Sequence, residues 1–188
     1  MRLSNRDAKE FYEIWFKLLR TVNEKHSISP SLKEFVYGEV DTQEESKIRD
    51  YIWNHPESID EAIADYEKAG FNERELSVLE AWRNKYAYSE FVLVEHRSNH
   101  TIFMNTRDDN RLYAVHGIFD SFKKIYPARM VPMMIKTALI PFKNKIIYDG
   151  IFDELHFDEL KNPQDLLPQT YRDAKKKWGT SFTLPDRG

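Results

Sequence analysis

FVLVEH at 91–96 and HTIFMN at 100–105 decide how the C-terminal half of this chain is read. Both runs are rich in β-branched and aromatic residues, which suit a pleated, half-buried surface. Ser98-Asn99 between them reads as a hairpin turn. Working outward, Arg107-Asp108-Asp109-Asn110 is a second, polar turn, and RLYAVHGI at 111–118 is a third strand. FDSFKKIY at 119–126 reads as a short helix capped by Asp120 or Ser121. MVPMMIKTALI at 130–140 is a fourth strand, its start placed at an edge or bulge by Pro132. Lys143-Asn144 is a turn and KIIYDG at 145–150 a fifth strand. Five short strands with a helix between the third and fourth fit a small antiparallel five-stranded β-barrel or sheet, OB-like or SH3-like, with an open α+β sheet fitting almost as well. Element order leaves the pairing open.

Upstream the period changes from two to 3.6. From Asn5 to about His26, Phe11, Ile14, Trp15, Leu18, Leu19 and Val22 recur at gaps of three and four, one face of a helix capped by Ser4 or Asn5. Ser29-Pro30 restarts a short helix with Leu32, Phe35 and Val36 as its face. Asp41 with Glu44 caps a helix that His55-Pro56 stops. Ser58 with Glu61 forms a capping box for a helix closed by Gly70, and Asn72 with Glu75 opens the last. The expected organisation is therefore α+β. An N-terminal bundle of about five helices spans 1–88, a small β domain spans 89–160, and a C-terminal tail with a short helix ending at Gly179 spans 161–188, its TSFTLPDRG loosely ordered.

The chain has 188 residues, 41% hydrophobic and 14% aromatic, enough for a packed core. It has no Cys, which removes disulfides, thiolate metal sites and thiol nucleophiles. The charged first twenty residues lack an apolar signal core, and no run approaches a bilayer span, so the expected location is the cytoplasm. Net charge is −3. Residues 1–88 carry 13 Lys and Arg against 18 Asp and Glu, and the rest carries 15 against 13. The basic excess of the C-terminal half is slight for a phosphate-binding surface.

TALIPFKNKIIYDGIF at 137–152 resembles a stretch of uncharacterised bacterial proteins, some of which carry a Cys-rich metal-binding tail of the SEC-C type. The resemblance covers 16 of 188 residues, and a chain without Cys has no such tail. It implies a bacterial family without a known activity.

Candidate chemistry is sparse. His96, His100 and His116 lie in the first three strands and could converge as a three-His metal site serving a metal-dependent hydrolase; a hairpin-turn and core role for them is the plainer reading. Asp149, near Asp153 and Glu154, could serve acid–base chemistry, but Asp149-Gly150 reads more simply as a turn. There is no GxSxG, GxGxxG or P-loop. Phe91, Phe103, Tyr113, Phe122, Tyr126 and Tyr148 interleave with Arg97, Arg107, Arg111, Lys123, Lys124, Lys136, Lys143 and Lys145, a composition that suits single-stranded nucleic acid if the aromatics are exposed; aromatics filling a barrel core with the basic residues in its solvated turns is the plainer reading. Trp15, Trp53, Trp82 and Trp178 read as core or domain-interface anchors, and Lys175-Lys176-Lys177 as a solvated helix end.

The expectation is a non-enzymatic binding or interaction module without a cofactor, its partner a protein or a second copy of itself. Single-stranded RNA or DNA held by the β domain is the alternative. The ligand-binding candidates are Arg97, Arg111, Tyr113, Lys143, Lys145, Tyr148 and Asp149. No membrane is expected to take part.

Overall fold

The computed structural model describes residues 1–32, 34–39, 41–155 and 163–187, with only the backbone described over 163–166. It is an α+β protein with seven α-helices and seven strands among the described residues. Two compact units are present, one made of Arg6–Lys85 with Asp186–Gly188, the other of Met1–Asn5 with Tyr86–Pro185. No helix among the described residues is long and apolar enough to cross a membrane.

The first unit is helical: α1 (Asn5–His26), α2 (Thr42–Asn54), α3 (Glu57–Ala64), α4 (Tyr66–Ala69) and α5 (Glu73–Asn84). Phe11, Trp15, Leu18, Leu19 and Val22 of α1 are buried, as their spacing requires. Trp15 stacks on Trp53 with ring centroids 6.0 Å apart and meets Trp82 edge-on at the same distance. Asp41 accepts from the backbone N–H of Gln43 and Glu44 at the head of α2, and Asn72 with Glu75 forms a reciprocal capping box on α5.

Two expectations are corrected here. The helix expected to restart at Pro30 is not formed over its described residues, because a side chain takes the backbone groups a helix would use. Asn23 donates from Nδ2 to the carbonyls of Ser29 (2.9 Å) and Leu32 (3.2 Å), and its Oδ1 accepts from Ser29 N–H. Ser58 with Glu61 is not a capping box. Pro56, at φ −63 and ψ −17, is already helical, so α3 starts at Glu57, two residues before the start a Ser58 cap would give, and Ser58 is buried inside its first turn.

The second unit is built on β1 (Ala87–His96), β2 (Thr101–Asn105), β3 (Leu112–His116), α6 (Phe122–Ile125), a 3-10 turn (Ala128–Met130), β4 (Met133–Phe142), β5 (Lys145–Tyr148), β6 (Asp153–Leu155), α7 (Pro163–Trp178) and β7 (Thr180–Ser181). The sheet is mixed and seven-stranded, not antiparallel and five-stranded as expected. The crossover through α6 is the reason. It carries the chain from β3 to the far side of β1, where β4 pairs antiparallel with Ala87–Leu93. A two-residue turn at Lys143-Asn144, both at positive φ (51° and 58°), then folds β5 back, and β5 lies parallel to β3. The pairings β1–β2, β2–β3, β3–β5, β5–β4 and β4–β1 return to their starting strand.

The C-terminal segment departs furthest from the sequence reading. The expected 161–188 tail begins on residues 161–162, which lie outside those described, as does His156. From Pro163 it is a 16-residue helix, where only a short one was expected. Gly179, at φ 67, ends α7 and reverses the chain. The TSFTLPDRG stretch is not loose: Thr180 and Ser181 pair with Leu112 and Tyr113 as β7, and Leu184 is buried. Ala174 of α7 packs against Val92, Ile102, Met104 and Leu112, joined by Leu167 and Tyr171. That contact could not be read from the sequence, because it links Ala174 to residues 62 to 82 positions away.

Candidate functional site

Alternation along the strands sorts the side chains of the second unit onto two faces. Phe91, Phe103 and Tyr113 fall on one face, since Phe103 stands opposite both Leu93 and Tyr113. Phe122 of α6 closes over Phe103 at 4.8 Å and reaches Tyr148 at 5.1 Å. Tyr126 is also buried, and its hydroxyl donates to Glu154 at 3.0 Å; burial, then that carboxylate, raises its pKa. All six aromatics suggested as base-stacking groups, the ligand candidates Tyr113 and Tyr148 among them, are therefore buried. They fill the core and have no ring face free for a ligand.

The exposed aromatics lie elsewhere. Trp178, expected as a core or domain-interface anchor, is 38% exposed at the end of α7, and Phe182 is 59% exposed just after β7. Trp178 borders a cleft of about 310 Å³ lined by Arg111, Leu112 and Tyr113 on one side and by Trp178, Gly179 and Ser181 on the other. The Arg111 guanidinium lies 4.3 Å from the Trp178 ring centroid, and the Lys177 ammonium 4.4 Å. The expected polar turn supports this wall, with Asp109 and Asn110 at positive φ. Trp178 Nε1 donates to the Asp109 carbonyl at 3.0 Å, while Asp109 and Asp108 lie 3.5 Å from Lys177 and 3.8 Å from Arg111. This cleft is cationic and aromatic, partly offset by two carboxylates. Of its parts, the sequence reading singled out only Arg111 and Tyr113 as ligand candidates; Trp178 was missed because helical spacing does not show which tryptophan sits at a helix end.

The three strand histidines separate into two sets. In the β1–β2 register His96 stands opposite Thr101, and Thr101 stands opposite Val115. The next pair on the other face is His100 with His116, whose rings are 6.5 Å apart. His96 therefore points to the opposite side of the sheet. Both of its nitrogens are engaged there, Nδ1 with Thr101 Oγ1 at 3.0 Å and Nε2 with the Tyr126 carbonyl at 2.8 Å. No group of three or more His, Cys, Asp or Glu with metal-holding geometry is found among the described residues.

Lys145 precedes Ile146, the partner of Val115, so it shares the face of His100 and His116. His116 Nδ1 is buried with no hydrogen-bond partner among the described residues. His100 Nδ1 lies 2.6 Å from Asn99 Oδ1, and Phe182 stands edge-on to His100 at 5.4 Å. Arg97 pairs with Glu95 on this face, at 2.7 Å. Lys143 lies in the β4–β5 turn over Phe142, at 5.4 Å. Asp149 is fully buried and holds its own turn, its Oδ1 lying 3.1 Å from the Thr137 hydroxyl and accepting from Ile151 N–H at 3.3 Å, with Gly150 at φ 96.

Comparison with protein-family models, curated proteins and solved structures found nothing that matches this chain.

Burial pushes the His116 imidazole down to about 4, with the Lys145 cation as the next cause. Burial, then Arg97, lowers His100 as well. His116 is therefore neutral in the fold between about 4 and its ordinary 6.5, whereas the unfolded chain binds a proton there. Stability falls as pH drops through that window and levels off below it. With partial solvation of the ring, the loss is on the order of 2 kcal/mol. Urea unfolding at about pH 7.5 and about pH 4.5 checks it: wild type is expected to lose that much more stability than His116→Leu, and equal losses in the two proteins would refute the assignment.

Proposed function

We propose that this chain is a non-enzymatic binding module of the bacterial cytoplasm whose β unit is a small OB-like barrel, and that it binds single-stranded nucleic acid at the Arg111–Trp178 cleft. The ring of strand pairings, with a helix between β3 and β4 and β5 parallel to β3, supports the OB-like reading. The observation that carries the ligand assignment is the exposed Trp178 ring at the cleft, with the Arg111 and Lys177 cations against it. Exposed aromatics stack bases without regard to sequence, and neighbouring cations hold the backbone. The face of β1–β3 under α7 is apolar and occupied, so the ligand is assigned to the rim of that helix.

Fluorescence anisotropy of labelled single-stranded RNA and DNA oligonucleotides, at low and moderate salt, tests this. Saturable binding that weakens steeply with salt is expected. Arg111→Ala and Trp178→Ala are each expected to weaken it about tenfold, roughly 1.4 kcal/mol, within the range of one stacked base or one phosphate contact. Absence of binding at low salt overturns the nucleic-acid ligand. A protein partner is then the reading that stands, favoured by Val36, Tyr37 and Tyr66 exposed on the helical unit.

A further inference from the structure

A second cluster lies on the sheet face that carries His100, and no part of the cleft described above uses it. His100 ends the β1–β2 turn, His116 ends β3 and Lys145 opens β5, so three adjacent strands present two imidazoles and an ammonium on one side of the sheet. The charged groups that act on the two rings are the Lys145 ammonium, the Arg97 guanidinium, the Met1 α-ammonium and the Glu95 carboxylate. Glu95 is itself held by Arg97 at 2.7 Å and by the Tyr171 hydroxyl at 2.7 Å. The balance is cationic. A divalent metal would have to share the imidazole lone pairs with neighbouring positive charges and would lack a third ligand. An oxyanion meets the reverse situation: the cations attract it, and imidazole N–H groups donate to it. The buried His116 Nδ1 is a polar atom whose desolvation no partner among the described residues offsets, and an acceptor oxygen supplies one. Phe182, more exposed than any other large apolar side chain described, stands edge-on to His100 at 5.4 Å, beside this pair.

We infer that His100, His116 and Lys145 form an anion subsite for a phosphate group, with Phe182 as the stacking platform for the base that phosphate carries. The inference deepens the nucleic-acid reading and rests on it for the source of the phosphate. The imidazoles act in binding alone, and no covalent step is involved. Binding also strengthens as pH falls, because a bound phosphate favours the protonated ring.

Histidine ring-nitrogen NMR on the full chain tests the subsite directly, with His26 and His55 of the helical unit as internal references. His26 is held by Glu61 at 2.9 Å and Tyr51 at 3.1 Å, and His55 contacts Glu57 at 3.3 Å. Inorganic phosphate is expected to shift the His100 and His116 nitrogens saturably and to leave the references in place. Lys145→Gln is expected to weaken that response about tenfold, the size of one lost charge-assisted contact. An oligonucleotide that displaces the phosphate identifies the source as a nucleic-acid backbone. A phosphate response without oligonucleotide binding keeps the subsite, assigns it to a free phosphate and overturns the nucleic-acid reading. Oligonucleotide binding with silent His100 and His116 rings overturns the subsite and keeps that reading. Zinc that moves the two rings where phosphate does not overturns the anion assignment in favour of a metal.

Discussion

Replacing Trp15 by alanine is expected to destabilise the helical unit by about 3–5 kcal/mol, a large fraction of the stability of an ordinary domain. Trp15 is fully buried, stacked on Trp53 and edge-on to Trp82, with Phe11 at 6.4 Å on its own helix. Removing the indole deletes the group that three elements share: α1, the last turn of α2 and α5. The surrounding rings are too large and too constrained to collapse into the space, so the cavity cost adds to the lost transfer energy. Trp15→Phe keeps most of the apolar volume and is expected to cost less than half as much. Urea titration followed by far-UV circular dichroism measures both. A loss below about 1 kcal/mol for Trp15→Ala would mean that the tryptophan cluster is not the core of this unit.

Asp149→Ala is expected to cost the β unit roughly 1–3 kcal/mol, from the buried Ile151 N–H left without its acceptor, since the Thr137 hydroxyl keeps the Ile151 carbonyl. Its carboxylate is fully buried beside the Thr137 hydroxyl and the Ile151 N–H, and it ties the end of β5 to β4. Asp149→Asn retains an acceptor oxygen and is expected to recover much of that loss. The same pair of variants separates a turn residue from a reacting one. With the anisotropy assay above, Asp149→Asn at a temperature where it is folded is expected to bind oligonucleotide like wild type. A variant as stable as wild type that has lost binding would move Asp149 from the turn to the site.

The trace of function in the sequence was uneven. Arg111, Lys145, His100 and His116 were visible as polar residues at strand ends, where side chains reach solvent beside a fixed backbone. Trp178 and Phe182 were not, because they lie at or beyond the end of a helix whose partner residues are 62 to 82 positions before its Ala174, and no local pattern carries that pairing. The aromatic residues of the strands are buried, as the plainer reading of them expected, and do not form the exposed stacking face of the alternative. Composition counts rings without saying which face they occupy, and burial in the core is what an aromatic side chain ordinarily gains most from.

Local interactions determined the elements that the sequence alone specifies. The face of α1, the caps at Asp41 and Asn72, the stop at His55-Pro56, the turn at Lys143-Asn144 and the run of short strands all depend on groups within about four residues of one another. Interactions between distant residues decided the rest. The parallel alignment of β5 with β3 follows from the crossover through α6, and α7 is placed by the apolar stripe of Val92, Ile102, Met104 and Leu112 that it covers. The division of three histidines between two faces is a matter of register: a strand has a period of two, so one residue of offset sends a side chain to the other side of the sheet, and only the pairing of the strands sets that offset.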